Sequence, residues 1–211
     1  MRDLPLRFRA TRGHAIAKLV LAAFASLAGA AIQAQTADAD GRPDRYVLVP
    51  QHSSVTLDVD AFSRSKIRMR FHRMNAQLEG TQAGLDSGRV TVTIDAASVE
   101  ARPRILSPLI RGSGMLDVAR YPEIRFVSTR FVRTGEGSGC LIGNLTVRGI
   151  TRSISLLVTP AGPIGDPRRD DTLAFSAVGE VSRREFDLAA WFPAVDDAVR
   201  MNIQVEFVHG P

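Results

Sequence analysis

The sequence has 211 residues with 27 basic and 22 acidic side chains, which gives a formal net charge of +5 at pH 7. Residues 1–34 hold five of the basic residues and one acidic residue, so residues 35–211 are nearly neutral, with 22 basic and 21 acidic side chains. No basic patch interleaved with aromatic residues occurs, which argues against nucleic-acid binding. The single cysteine, Cys140, excludes an internal disulfide.

The first 34 residues are typical of a secretory leader. Five basic residues precede a 14-residue apolar run at 19–32, which is too short to span a bilayer comfortably. Small residues follow and predict cleavage after Ala34, which indicates export to the periplasm without a stable membrane span. A retained membrane anchor is the alternative. Residues 35–44 are polar with glycine and proline, and predict a flexible arm before a domain at 45–209.

From residue 55 onward the sequence alternates between apolar and polar residues, which is the period of a β-strand. A change of phase between Phe71 and Met74 predicts a bulge near Arg73. Short connections in meander order indicate an antiparallel sheet, and about eight strands are enough to close a barrel. The alternating segments lie at residues 55–61, 67–78, 90–94, 124–126, 141–147, 150–158, 173–177 and 199–207.

Two segments break the alternation and are predicted to cover the barrel. Residues 96–122 contain two prolines and several large apolar residues, and predict one or two short helices across one barrel end. Residues 186–199 contain the only tryptophan, Trp191, and predict a covering loop. Between the first of these segments and the next strand, Pro122 suits the first residue of a strand and keeps Tyr121 out of helical geometry. Tyr121-Pro122 is therefore interpreted mainly as a rigid joint.

The apolar face of the strands is predicted to point inward. An outer-membrane barrel is the rival, but such barrels carry aromatic girdles, and this chain has one Trp and two Tyr. An eight-stranded interior is either filled by side chains or holds one elongated ligand, and both readings stay open. For a ligand, the predicted pocket residues are Val59, Met69, Phe71, Val92, Ile94, Phe126, Phe175, Trp191, Met201, Ile203 and Val205.

No motif of an enzyme or a metal site is found. The sequence lacks a nucleophile elbow and a phosphate-binding glycine loop, and no two of His52, His72 and His209 have metal-ligand spacing. We therefore predict no catalysis, no cofactor and no metal. A lipid-acting enzyme that uses one of these histidines is the remaining catalytic alternative.

Five stretches carry a resemblance to a known family. They are "YVLVPQHSSVTLDV", "VTVTIDAASVEA", "MLDVARYPEIRFVSTRF", "LIGNLTVRGITRSISLLV" and "SRREFDL", spread over about residues 45–208. With these stretches the chain resembles the YceI-like family of periplasmic, polyisoprenoid-binding, lipocalin-like proteins.

The resemblance implies a lipocalin-like barrel around a long-chain isoprenoid, quinone or fatty amide, without catalytic residues. Tyr121 and Arg183 are then candidate contacts to a lipid head group, although Arg183 is better explained by an ion pair that braces the barrel mouth. Where the family often has an Arg-Asp-x-His-Leu element, this chain has "LSPLI" at 106–110, and Asp187 replaces the usual glycine. The alternative function is a filled barrel that acts through its surface or as a homodimer.

Overall fold

The alternating segments form one antiparallel sheet that closes on itself. The computed structural model describes residues 45–62, 65–81, 84–135, 138–162 and 172–210. The predicted leader (1–34) and arm (35–44) lie outside these residues. The strands are β1 (Arg45–Leu48), β2 (Ser54–Ala61), β3 (Ser65–Phe71), β4 (Met74–Glu79), β5 (Arg89–Asp95), β6 (Val99–Arg102), β7 (Glu123–Arg133), β8 (Gly139–Val147), β9 (Ile150–Pro160), β10 (Thr172–Ser182) and β11 (Val195–His209), with one helix, α1 (Leu106–Arg111).

The eleven strands occupy eight positions around the barrel. Strands β1, β4, β5, β7, β8, β9, β10 and β11 pair in that order, and pairing of β1 with β11 closes the ring. Strands β2, β3 and β6 continue β1, β4 and β5 beyond short interruptions, with β2 paired to β11 and β3, and β3 paired to β6. The predicted eight-stranded antiparallel barrel is therefore confirmed, with three of its strands broken.

The break between β3 and β4 is the predicted phase change. Phe71 and Met74 are both buried while the two residues between them are exposed. The Ser98 hydroxyl, in the short turn between β5 and β6, accepts hydrogen bonds from the backbone N–H groups of His72 (3.3 Å) and Arg73 (3.2 Å). It donates in turn to the Asp95 carbonyl at 2.6 Å. One buried serine thus satisfies backbone groups that the interrupted ladder leaves unpaired.

The two covering segments differ in part from the prediction. Residues 96–122 contain strand β6 before a single six-residue helix, α1, so the expectation of helix alone was wrong for 99–102. The sequence did not predict strand β6 because only two of its residues, Val99 and Ala101, point inward. Two residues are too few to show an alternation. In the second segment β11 already begins at Val195, with an irregular register against β2 between Val195 and Val199 that obscures the period.

The apolar face of the strands points inward, as predicted. The outward positions carry ion pairs between neighbouring strands, such as Arg68 with Asp58 at 2.8 Å and Arg200 with Asp60 at 2.9 Å. Among the described residues, no helix has the length and apolar character that crossing a bilayer would require. Tyr121 and Pro122 lie between the turns after α1 and the start of β7, where the joint was predicted.

Replacing Ser98 with alanine should lower the free energy of unfolding by about 1–3 kcal/mol, because two backbone N–H groups lose their acceptor. Urea denaturation followed by circular dichroism measures this change. Ser155→Ala, at an exposed position on β9, is the matched control and should leave stability nearly unchanged. Equal stability of the two variants would show that water replaces the Ser98 hydroxyl without loss.

Candidate functional site

The barrel encloses an apolar cavity of about 270 Å³. Every strand except β6 contributes to its wall, and Arg183 is the only charged residue among those that line it. A single water molecule needs only about 10–15 Å³ of such space, so the interior is not filled by side chains. The sequence left open whether the barrel is filled by side chains or has room for a ligand. The structure shows a barrel with an internal cavity.

All eleven residues predicted for the apolar pocket line this cavity. They come from six of the eleven strands and from the loop before β11. Their contact with a ligand stays a prediction. The residues are Val59 on β2, Met69 and Phe71 on β3, Val92 and Ile94 on β5, Phe126 on β7, Phe175 on β10, Trp191 in the loop, and Met201, Ile203 and Val205 on β11.

Two inward-facing glycines let large side chains lie against the wall instead of across the lumen. A Cβ atom at Gly143 on β8 would overlap the ring of Phe126. At Gly179 on β10 it would come within 2.6 Å of Leu156 Cδ2 and 3.2 Å of Met201 Cε. Since these side chains occupy the space where a Cβ would stand, they take less of the interior than their size suggests.

One end of the barrel is closed by residues 103–120 and 183–194, here called the closed end. Arg148, in the two-residue turn between β8 and β9, ties the two segments together. Its Nη1 donates to the Asp187 carbonyl at 2.8 Å, and its Nη2 donates to the Ser113 carbonyl at 3.2 Å. Both turn residues, Arg148 and Gly149, have positive φ (52° and 75°), as a tight hairpin turn with the strand twist requires.

The closed end adds lining residues that the sequence analysis did not assign to the pocket. Five of them, Ile110, Met115, Leu116, Phe186 and Leu188, face the cavity from the covering segments. The apolar character of residues 105–116 was visible in the sequence. Without a strand period or a helix longer than two turns, however, the pattern does not tell which of its side chains point inward.

Arg183 is buried, with 3% of its surface exposed, and organises the loop before β11. Its Nε donates to the Asp196 carbonyl at 2.7 Å and its Nη2 to the Val195 carbonyl at 2.7 Å. Its Nη1 donates to the carbonyls of Leu188 and Ala190. Backbone carbonyls, and not the expected ion pair, thus account for four of the five N–H donors of the guanidinium.

The charge of Arg183 is only partly compensated. Burial lowers the pKa of its guanidinium, while the nearby carboxylates of Asp197 and Asp196 act in the opposite direction. Asp197 itself accepts from the Ser182 hydroxyl at 2.6 Å and from the Arg184 backbone N–H at 3.0 Å. Burial raises the pKa of Asp197, but these hydrogen bonds outweigh it and hold the pKa below its ordinary value. Arg183 is therefore the residue that brings a positive charge to the lining of the cavity.

The second candidate head-group residue, Tyr121, is not among the residues that line the cavity. Its ring packs against the turn between β8 and β9, where a Cβ at Gly149 would stand 2.9 Å from the ring. The Arg120 guanidinium lies 5.3 Å from the ring centroid. The structure thus places Tyr121 at the joint and brings only Arg183 to the cavity.

The three histidines have other neighbours in the described part of the chain. His52 Nδ1 lies 2.8 Å from Glu206 Oε1, and His72 Nε2 lies 3.1 Å from Glu100 Oε2. His209 stacks on Tyr46 with ring centroids 4.1 Å apart. None of them is among the residues that line the cavity, and the described residues contain no group of three metal-binding side chains.

Comparison with known proteins identifies the family. The family model of the YceI-like domain matches residues 46–207. The chain belongs to the YceI-like family. A UPF0312 protein of Vibrio parahaemolyticus is 25% identical over 137 residues, which cover 65% of this chain and 72% of that protein. The expected family resemblance is thereby confirmed over nearly the whole barrel.

Two solved structures share the YceI-like barrel. BcnA of Burkholderia cenocepacia superposes with a TM-score of 0.67 and 22% identity, covering 75% of this chain and 98% of BcnA. A polyisoprenoid binding domain from Saccharophagus degradans, implicated in plant cell wall breakdown, gives a TM-score of 0.57 and 12% identity. It covers 78% of this chain and 98% of that domain. At these identities the likeness concerns the fold.

Arg183→Lys should lower the free energy of unfolding by several kcal/mol, on the order of 3 kcal/mol. Lysine keeps the charge but has no planar set of donors to reach four carbonyls, so buried carbonyls stay unpaired. Chemical denaturation of the variant measures the loss. Arg184→Lys changes the adjacent, exposed arginine in the same way and should cost little. If both variants unfold alike, the carbonyl network does not stabilise the loop.

Proposed function

We propose that this chain is a non-catalytic periplasmic protein that binds or carries a long-chain isoprenoid-like lipid inside its barrel. The chemical class includes polyprenyl chains, quinone tails and fatty amides. The observation that carries the proposal is the cavity of about 270 Å³ with an almost entirely apolar wall. Such a concave apolar site is the usual form of a small-molecule site.

The extent of the lining favours a chain-like ligand. Along β11 it runs from Val195 to Phe207, which at about 3.3 Å per residue is roughly 40 Å along the strand. With a strand tilt of about 35–45°, this is roughly 30 Å along the barrel axis. A long and narrow apolar space suits an extended hydrocarbon better than a compact ring system.

The polyisoprenoid binding domain of Saccharophagus degradans supports the same ligand class, because it has the same fold over most of this chain. The predicted leader and the YceI-like family support a periplasmic location. At the wall, Arg183 brings a positive charge, which suits a carbonyl or a phosphate of a lipid head group. Among the described residues that line the wall, none is a nucleophile or a titratable base for chemistry on the lipid, and we therefore assign binding alone.

Native mass spectrometry of the exported protein, purified without detergent, should detect a bound lipid that organic extraction releases. Ile203→Arg places a charge in the cavity wall and should reduce the lipid-bound fraction at least tenfold. Asn202→Arg is the matched control, since the neighbouring side chain on β11 is exposed on the outer face. It should keep the lipid.

The outcomes separate the proposal from its alternative. An unliganded mass that does not change after incubation with isoprenoids and quinones would contradict lipid binding and favour a protein that acts through its surface or as a dimer. Circular dichroism of Ile203→Arg must remain that of the parent protein. If this variant unfolds, Met69→Arg tests the same wall. Met69 lies on β3, which is separated from β11 by β2 in the sheet.

Affinity should increase with the length of the ligand chain until the cavity is full. Each methylene removed from water contributes about 0.8 kcal/mol, or roughly fourfold in the dissociation constant. Displacement of a fluorescent apolar probe by a series of prenols of increasing length measures this dependence. A dissociation constant that does not vary with chain length would place the ligand outside the cavity.

A further inference from the structure

The large apolar side chains that this protein exposes are concentrated at the closed end. Among the described residues, eight large apolar side chains are exposed. Four of them lie in the two segments of the closed end, and a fifth, Phe62, directly follows β2 beside it. The other three, Val132, Leu157 and Val178, lie on strands. The five residues, here called the rim surface, are Phe62, Ile105, Leu109, Trp191 and Phe192.

Sheet order brings these five residues to one edge of the barrel. Strands β11, β2, β3 and β6 are neighbours in that order. Trp191 and Phe192 lie in the loop just before β11, and Phe62 directly follows β2. Strand β6 leads into α1, which carries Leu109, with Ile105 immediately before its first residue. The Phe62 N–H donates to the Ala194 carbonyl at 2.7 Å, which joins the first two groups.

Helix α1 is apolar on both sides. Its inner side is anchored, because Ile110 lines the cavity and the Ser107 hydroxyl accepts a hydrogen bond from the Ala101 N–H at 2.8 Å. On the outer side Ile105 is 78% exposed and Leu109 is 55% exposed. Packing within the barrel therefore does not explain the outer apolar residues, and exposed apolar patches of this kind mark interaction sites.

The charge around α1 limits the choice of partner. Residues 101–116 contain three arginines and no acidic residue. Arg104 pairs with Glu100 at 3.0 Å, whereas Arg102 and Arg111 form no ion pair with a described residue. The aromatic half of the rim surface has no such excess, since residues 183–196 carry two basic and three acidic side chains. The basic charge thus accompanies the apolar residues of α1.

We propose that the rim surface docks on a phospholipid bilayer that carries anionic head groups. The arginines beside α1 contact the head groups, while Ile105, Leu109 and the aromatic residues enter the interface. Basic residues attract a protein to anionic lipid, and Trp, Phe and Leu side chains are typical of the face that enters a membrane surface. The proposal extends the proposed function, since the same end carries Ile110 and Trp191 into the cavity wall and so brings the cavity next to a source of lipid.

Vesicle flotation tests the docking surface. The exported protein, with leader removal verified by intact mass, is mixed with vesicles of phosphatidylcholine alone or of phosphatidylcholine with phosphatidylglycerol. We expect binding to the anionic vesicles that weakens with added salt, and little binding to phosphatidylcholine. Arg102→Glu together with Arg111→Glu should reduce binding roughly tenfold or more.

Two leucines of nearly equal exposure provide the matched pair. Leu109→Glu changes the rim surface and should reduce vesicle binding at least tenfold. Leu157→Glu changes a leucine that is 52% exposed on β9 and should leave binding unchanged. Equal loss in both variants, or no vesicle binding by the parent protein, would overturn the proposal. A concentration-dependent dimer that Leu109→Glu abolishes would assign the surface to a second copy of the chain and overturn it as well.

A second readout keeps this proposal distinct from the proposed function. Lipid supplied from ethanol solution should load Leu109→Glu as well as the parent protein, because the cavity is intact. Ile203→Arg should still float with anionic vesicles although it binds no lipid. Lipid loading without vesicle binding would refute docking alone, and vesicle binding without lipid loading would refute the lipid-carrier function alone.

Discussion

Closure of the sheet by the pairing of β1 with β11 is the constraint on which the interior depends. Strand number and stagger fix the width of a barrel, so its lumen does not shrink to fit the side chains it holds. Most inward residues here are mid-sized, and the glycines at 143 and 179 let Phe126 and Leu156 lie flat on the wall. The cavity follows from a fixed circumference and side chains too small to fill it. A helical protein with the same composition would instead close up until its core was dense.

At the closed end, backbone without regular secondary structure must be held in place over an apolar cavity. Loop carbonyls that face such a space need donors, because water is excluded there. Arg183 supplies four hydrogen bonds from one side chain, and Arg148 supplies two more from the turn between β8 and β9. A buried arginine is costly by itself, and this one is acceptable since nearly all its donors are used and carboxylates lie nearby. The covering loop is therefore held by polar bonds that run beneath it, and its outer side needs no polar anchor.

Period-two alternation was sufficient to predict the barrel, its inward face and ten of the eleven lining residues that were named, because inward orientation follows directly from strand parity. The eleventh, Trp191, lies in the loop before β11 and was named as part of the covering segment. The features that the alternation missed do not show a regular inward and outward pattern along the sequence. Strand β6 is four residues long with two inward positions, and the start of β11 is hidden by a register shift at Val195. The partners of Arg183 are carbonyls, which carry no sequence signal at all. Asp187 adopts the αL conformation (φ 57°), which glycine adopts most readily, but a single sequence does not reveal a backbone angle.

Helix α1 shows most clearly how the inside and the outside of this protein are related. Leu109 and Ile110 are adjacent in sequence, yet one is exposed and the other lines the cavity. A helix that is apolar all round is normally buried in a core or in lipid, and a six-residue helix on the rim of a barrel has protein on one side only. Its outer face is then expected to find an apolar neighbour from outside the chain. Arg102 and Arg111, which form no ion pair with a described residue, favour an anionic neighbour. One short helix thus carries apolar surface from the cavity wall, at Ile110, to the outside of the barrel, at Leu109.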